Sequence, residues 1–168
     1  MEQTIVIMCG HDRSGKSTIS DALSGKLEIP IFKVQRDKYK WDHVANLAYG
    51  TDQICQFLEQ TMSSVILDRF HPSDYVYSNL FGRKYDYDKV FDIDERLSKL
   101  NALIVICYKD ENAYIPDEED KDFITMADYP RMTELYNKFA VLSKCRILFL
   151  NTSDENLEKQ LATIIENL

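Results

Sequence analysis

An apolar stretch, Thr4–Cys9, runs directly into Gly10-His11-Asp12-Arg13-Ser14-Gly15-Lys16-Ser17-Thr18, and a helical pattern begins at Lys16. No other feature of the 168-residue chain constrains it as much. Glycine, four open positions, glycine, lysine and a hydroxyl residue form a loop suited to gripping phosphate. Gly10 and Gly15 permit a tight turn whose backbone N–H groups point inward. A helix starting at Lys16 brings its positive dipole end to the same anion. Lys16 can reach β- and γ-phosphate oxygens, and Ser17 can offer its hydroxyl to Mg²⁺. Chance would produce such a match on the order of 1 time in 100 in a chain of this length. The strand before it and the helix after it lower that further.

Runs rich in Val, Ile and Leu alternate with helical patterns through the rest of the chain. Strands are expected at Thr4–Cys9, Ile31–Val34, Ser64–Leu67, Ala102–Cys107 and Arg146–Leu150. Helices are expected near Lys16–Lys26, Thr51–Met62, Asp88–Leu100, Tyr129–Ser143 and Asp154–Glu166, the last capped by Asn151-Thr152-Ser153. Strands apolar at every position suit a parallel sheet covered on both faces. The expected fold class is therefore α/β: one doubly wound domain over residues 1–168, with a five-stranded parallel sheet between helical layers. Residues 110–124 stand apart as a lid-like segment. Within them Asp110–Asp122 carries seven acids, one lysine and Pro116, and is expected to be an exposed, mobile excursion after the fourth strand.

Composition narrows the partners. Hydrophobic residues make up 45% and charged residues 29%, which excludes wholesale disorder. Twenty Lys and Arg against 28 Asp and Glu give a net charge of −8, which disfavours nucleic acid as a partner but not a small anion held by a few aimed cations. No run approaches the ~18 apolar residues of a membrane span. No basic region precedes the first apolar stretch, so no signal peptide is expected. Cys9, Cys55, Cys107 and Cys145 are widely spaced in apolar surroundings, as reduced core thiols of a cytoplasmic protein would be. His11, His43 and His71 lack zinc-ligand spacing.

A second signal is Ser64-Val65-Ile66-Leu67-Asp68, an apolar strand ending in a carboxylate. In an open parallel sheet it delivers Asp68 to the edge where ligands bind, where it can hold a metal-bound water. Arg69 follows at once, placed to grip a second phosphate bidentately. A guanine-nucleotide switch is not expected. Outside the phosphate loop there is no DxxG, and NKxD is absent.

With these residues in view, the chain resembles the thymidylate kinase family, in the type that carries Asp-Arg inside the phosphate loop. Asp12-Arg13 matches that feature, and Arg36-Asp37 falls where the family has arginine and an acid. Leu47-Ala48-Tyr49-Gly50-Thr51-Asp52-Gln53 is similar to its LLFAADR stretch. Asp68-Arg69-Phe70-His71-Pro72-Ser73-Asp74-Tyr75-Val76-Tyr77 is similar to its DRYxxSxxAY stretch. The resemblance implies an ATP-dependent, Mg²⁺-requiring nucleoside monophosphate kinase, homodimeric as the family is. ATP would lie against Gly10, Arg13, Ser14, Gly15, Lys16, Ser17 and Thr18, with Ser17 and Asp68 on the metal. Arg13, Lys16 and Arg69 would be catalytic, stabilising the transferring phosphoryl group and the acceptor phosphate. Asp12, Arg36, Asp37, Tyr49, Gln53, Arg69, Ser73 and Tyr77 would surround a deoxypyrimidine monophosphate. Asp12 would contact its 3′-hydroxyl, Tyr49 its base and Tyr77 its sugar.

Two positions depart from the family. Gln53 stands in place of an arginine and Ser78 in place of a glutamine, which points to a 5-substituted uracil or a broader acceptor range. Plainer roles compete at several sites. Asp12 could cap the loop, Arg69 could pair with a neighbouring acid, Tyr49 and Tyr77 could be core, and Asp37 could form a solvated ion pair. Two other functions fit the same motifs. One is a deoxynucleoside or nucleic-acid-end kinase, in which Asp37 would be the base for a neutral hydroxyl. The other is a non-catalytic nucleotide-binding module.

Overall fold

The computed structural model describes residues 3–33, 44–116 and 124–168, with the helical backbone alone for residues 44–49. Strand β1 (Ile5–Gly10) leads into helix α1 (Lys16–Leu27), then β2 (Ile31–Lys33) and α2 (Val44–Thr61). Strand β3 (Val65–Asp68) is followed by two helices, α3 (His71–Leu80) and α4 (Tyr87–Lys99). Then come β4 (Leu103–Tyr108), a short 3₁₀ turn at Glu111–Ala113, α5 (Tyr129–Leu142), β5 (Arg146–Asn151) and α6 (Leu157–Glu166). The five strands lie in the order β2-β3-β1-β4-β5, all parallel.

This is the expected three-layer α/β/α fold, and the burial pattern explains it. All six residues of β1 and all four of β3 are buried, so both faces need cover. Alternate residues divide the core. Val6, Met8, Ile66 and Val105 pack against Ile19 and Leu23 of α1 and against Leu161 and Ile164 of α6. Ile5, Ile7, Leu67 and Ile104 point the other way, into a larger cluster with Leu58, Val76, Ile93 and Phe139 from α2, α3, α4 and α5. Each fully buried aliphatic chain contributes about 1.5–3 kcal/mol. Strand β1 sends its helix to one face and β3 sends its helices to the other. The adjacent carboxyl ends of β1 and β3 therefore form a switch point of the kind that opens a ligand crevice.

Four local expectations change. No helix was expected over 71–80, yet α3 forms there: Pro72 suits its first turn, and Tyr75, Val76 and Tyr77 are buried by tertiary packing. Helix α2 begins at Val44 rather than Thr51, so Tyr49 joins Gln53 on the helix. Helix α6 is capped by Asn156, which accepts from Lys159 N at 3.1 Å, because Asn151 is used in β5 and Thr152 binds the Tyr108 carbonyl. Finally, the start of the acidic segment is not wholly exposed. Tyr114 is buried and packs on His11 and Tyr129, with ring centroids 6.0 and 5.1 Å away. Residues 117–123 of that segment lie outside the described residues, and among the described ones no helix is long and apolar enough to cross a membrane.

Candidate active site

The loop after β1 is held in place by its surroundings. Gly10 sits at φ 127°, and a Cβ there would come 1.9 Å from the Cys107 carbonyl oxygen, so only glycine fits. The buried hydroxyl of Tyr136, from α5, accepts from Gly10 N at 3.1 Å and donates to Gly10 O at 3.0 Å. His11 N binds the Cys107 carbonyl at 2.9 Å. Gly15 occupies the N-cap of α1 at φ 78° and brings no side chain to cap the helix, so the first turn faces the loop without a competing side-chain acceptor from that position.

Lys16 is buried. Its ammonium donates to the His11 carbonyl and, at 3.2 Å, to Ser14 Oγ. Burial lowers its pKa to about 8, and repulsion from the Arg69 guanidinium acts in the same direction. A lysine held this way is poised for an anion, because an incoming phosphate would favour its charged form. His11 is also buried. Burial and the nearby Lys16 push its pKa down to about 4, so it is a neutral ring at physiological pH, with Nε2 at 3.2 Å from Thr133 Oγ1. Ser14 Oγ donates to the His11 carbonyl at 2.6 Å. Arg13 in the loop and Ser17 and Thr18 at the start of α1 are exposed.

The 68–77 stretch joins this loop at Asp12. Arg69 donates to Asp12 Oδ1 at 2.9 Å and the Tyr77 hydroxyl donates to the same oxygen at 2.8 Å. The Arg69 guanidinium carbon also lies 5.7 Å from the Tyr77 ring centre. Asp12 is buried, while the Arg69 side chain is 38% exposed, so the guanidinium keeps one side toward solvent. Burial raises the Tyr77 phenol well above its usual range, with Tyr136 and Asp12 adding to the shift, and it stays a donor. Arg13 and Arg69 both adopt positive φ, 52° and 62°. Such backbone costs about 1 kcal/mol or more per residue and collects at functional sites.

A second cluster forms at the end of β3. Lys33 Nζ lies 3.0 Å from Asp68 Oδ2 and 3.4 Å from Ser17 Oγ. The two oxygens expected to hold a magnesium ion thus already share one cation. This shows that the gap between them suits positive charge. Among the described residues no group of three His, Cys, Asp or Glu could hold a metal by itself. Mg²⁺ fits such a setting, since it takes one carboxylate and a hydroxyl and fills its remaining positions with water and substrate phosphates.

The expected site residues divide accordingly. Asp12, Arg69 and Tyr77 meet, and Ser17 and Asp68 share the Lys33 ammonium, beside the loop that leads to Lys16. Ser73 is buried at the start of α3 and Gln53 is exposed on α2. Arg36 and Asp37 lie outside the described residues, as does the side chain of Tyr49. Arg69 does pair with an acid, as its plainer role had it, but that acid is the loop's own Asp12. Sequence reasoning missed Lys33, Tyr136 and Thr133. Only Lys33 left a readable trace, at the end of the second strand.

No protein-family model and no curated protein matches the chain. Solved structures do. The YorR protein from Bacillus subtilis, solved with phosphorylated GDP, superposes with a TM-score of 0.76 at 21% identity, covering 96% of this chain and 93% of its own. A thymidylate kinase from Candida albicans matches with a TM-score of 0.60 at 20% identity, covering 99% and 92%. A deoxyadenosine kinase from M. mycoides matches with a TM-score of 0.59 at 15% identity, covering 98% and 97%. At these identities the likeness establishes the fold: a phosphate-loop, three-layer α/β/α domain with a parallel five-stranded sheet.

Proposed function

We propose that this protein transfers the γ-phosphoryl group of ATP to a deoxypyrimidine nucleoside monophosphate, dTMP or a 5-substituted dUMP, giving the diphosphate. The observation that carries this reading is the meeting of Arg69 and Tyr77 on Asp12, inside a phosphate loop, beside the buried Lys16. A donor-phosphate loop and a second guanidinium, joined through one carboxylate, make a place for two anions rather than one. Names borne by the similar structures, a thymidylate kinase and a deoxyadenosine kinase among them, are consistent with a kinase.

In this reading an oxygen of the acceptor monophosphate forms a bond to the γ-phosphorus. The bond from that phosphorus to the β–γ bridging oxygen breaks, and ADP leaves with the electron pair. The acceptor is already an anion at neutral pH, so no general base is assigned. Lys16 and the loop amides hold the donor phosphates. Arg13 neutralises charge spreading over the transferring oxygens, and Arg69 orients the acceptor phosphate. Asp12 fixes Arg69 and stands ready for the sugar hydroxyl. Ser17 and Asp68 would hold Mg²⁺, which when bound screens the β- and γ-phosphate charge.

Coupled ADP release with dTMP, dUMP, 5-hydroxymethyl-dUMP, dCMP and dGMP tests this. Turnover on one or more pyrimidine monophosphates is the expected result, and none on any would end the reading. A second reading, phosphorylation of a deoxynucleoside hydroxyl, is favoured by the likeness to a deoxyadenosine kinase over nearly the whole chain. Deoxyadenosine and thymidine in the same assay separate the two.

A further inference from the structure

Strands β2 and β3 pair in parallel with Ile31 against Ile66 and Lys33 against Asp68. Side chains alternate along a strand, so Lys33 shares a face with Ile31 and Asp68 shares one with Ile66. Both isoleucines pack in the cluster beneath α1. The Lys33–Asp68 pair therefore emerges on the α1 side of the sheet, where that helix begins with Lys16 and Ser17. The contacts of the Lys33 ammonium with Asp68 and Ser17 follow from this register.

The two partners differ in freedom. Asp68 is fixed on a fully buried strand, and its side chain is 4% exposed. A carboxylate so enclosed needs a counter-charge. Lys33 supplies it from a flexible four-carbon tether whose side chain is 50% exposed. A divalent ion seated on Ser17 and Asp68 would take the same oxygens and repel the ammonium at close range. Both cations cannot occupy that gap.

We infer that the Lys33 ammonium is a built-in placeholder for the nucleotide's metal ion. It holds Ser17 and Asp68 in position before the metal arrives, competes with it for both oxygens, and yields them when the metal–nucleotide enters. This rests on the ATP-dependent reading above.

The experiment follows Mn²⁺, a paramagnetic probe for Mg²⁺, by electron paramagnetic resonance in the presence of a non-hydrolysable ATP analogue. Wild type is compared with Lys33→Met, which keeps the stem and removes the charge, and with Lys33→Gln, a second neutral variant. Both variants should bind Mn²⁺ about tenfold or more tightly than wild type, because the competing cation is gone. Their melting temperatures should fall below wild type without divalent ions and recover when Mg²⁺ and the analogue are added. Unchanged or weaker Mn²⁺ binding in the neutral variants, with wild type binding normally, overturns the placeholder and leaves the kinase reading standing. Absence of Mn²⁺ binding in wild type and variants alike overturns both.

Discussion

Among the described residues three carboxylates are buried, in two regions of the molecule, and their partners tell them apart. Asp94, on α4, lies deep between helices. Its Oδ1 accepts from His71 Nε2 at 3.0 Å and Ser143 Oγ at 2.7 Å, and its Oδ2 accepts from Lys144 N at 2.6 Å. Burial opposes its charge but is outweighed by those hydrogen bonds, so its pKa lies below the usual carboxylate value. His71 is kept neutral chiefly by burial, against the pull of Asp94. Asp94 thus rests on uncharged donors, one of them main chain. Asp12 and Asp68, at the carboxyl edge of the sheet, rest instead on the cationic ends of Arg69 and Lys33, side chains partly in solvent. A carboxylate saturated by fixed neutral donors can only brace. One balanced by a cation that is itself partly in solvent leaves that cation open to a ligand.

Substitutions can break this contrast. The largest effect is expected from Lys16→Ala and Arg13→Ala. Each should lower turnover by roughly 10³-fold or more, with circular dichroism and melting temperature close to wild type. Wild-type rate in Arg13→Ala would give the transferring phosphate to another arginine. Asp94→Ala belongs to the other region. Denaturant unfolding should show a loss of about 3 kcal/mol, since its donors are left buried and unpaired, while KM values of the folded fraction stay put. A selective loss of acceptor affinity instead would move Asp94 into the site. Tyr77→Phe removes one of two donors to Asp12. It should raise acceptor KM by roughly tenfold and leave ATP binding unchanged.

The smallest effect is set by pH. Free Lys16, with its pKa lowered to about 8, loses its proton as pH rises through that value. Bound phosphate favours the charged form, so nucleotide binding above about pH 8 should take up a proton. Affinity at about pH 8.5 should be weaker than at neutral pH by about fourfold. Calorimetry in buffers of different ionisation enthalpy measures the uptake, and Lys16→Ala should abolish it.

Much of the fold was legible because it is local. Among the described residues, apolar runs marked the five strands to within a residue or two, and helical patterning marked five of the six α-helices. Helix α3 was not, since His71-Pro72-Ser73-Asp74-Tyr75-Val76-Tyr77 carries no clean stripe and is helical because its rings fit between α4 and α5. Within the site, Gly10, Gly15, Lys16 and Asp68 could be read from spacing alone. The shared oxygen of Asp12 could not, because Arg69 and Tyr77 are 57 and 65 residues away along the chain. Lys33 was overlooked because a lysine at a strand end has meaning only once the neighbouring strand's register is known.

The amino-acid order by itself determined that a phosphate loop would follow a buried strand and open a helix, and that a carboxylate would end another strand of the same sheet. Those are properties of neighbouring residues: backbone freedom at glycine, unbroken apolar runs, and the dipole of a helix start. Only the tertiary structure decided which cation stands against which carboxylate. Strand order put β3 between β1 and β2, and parallel register set Lys33 beside Asp68 while the turn after β3 swung Arg69 onto Asp12. Charges in a buried edge choose partners by distance in space, and sequence separation carries no information about that distance.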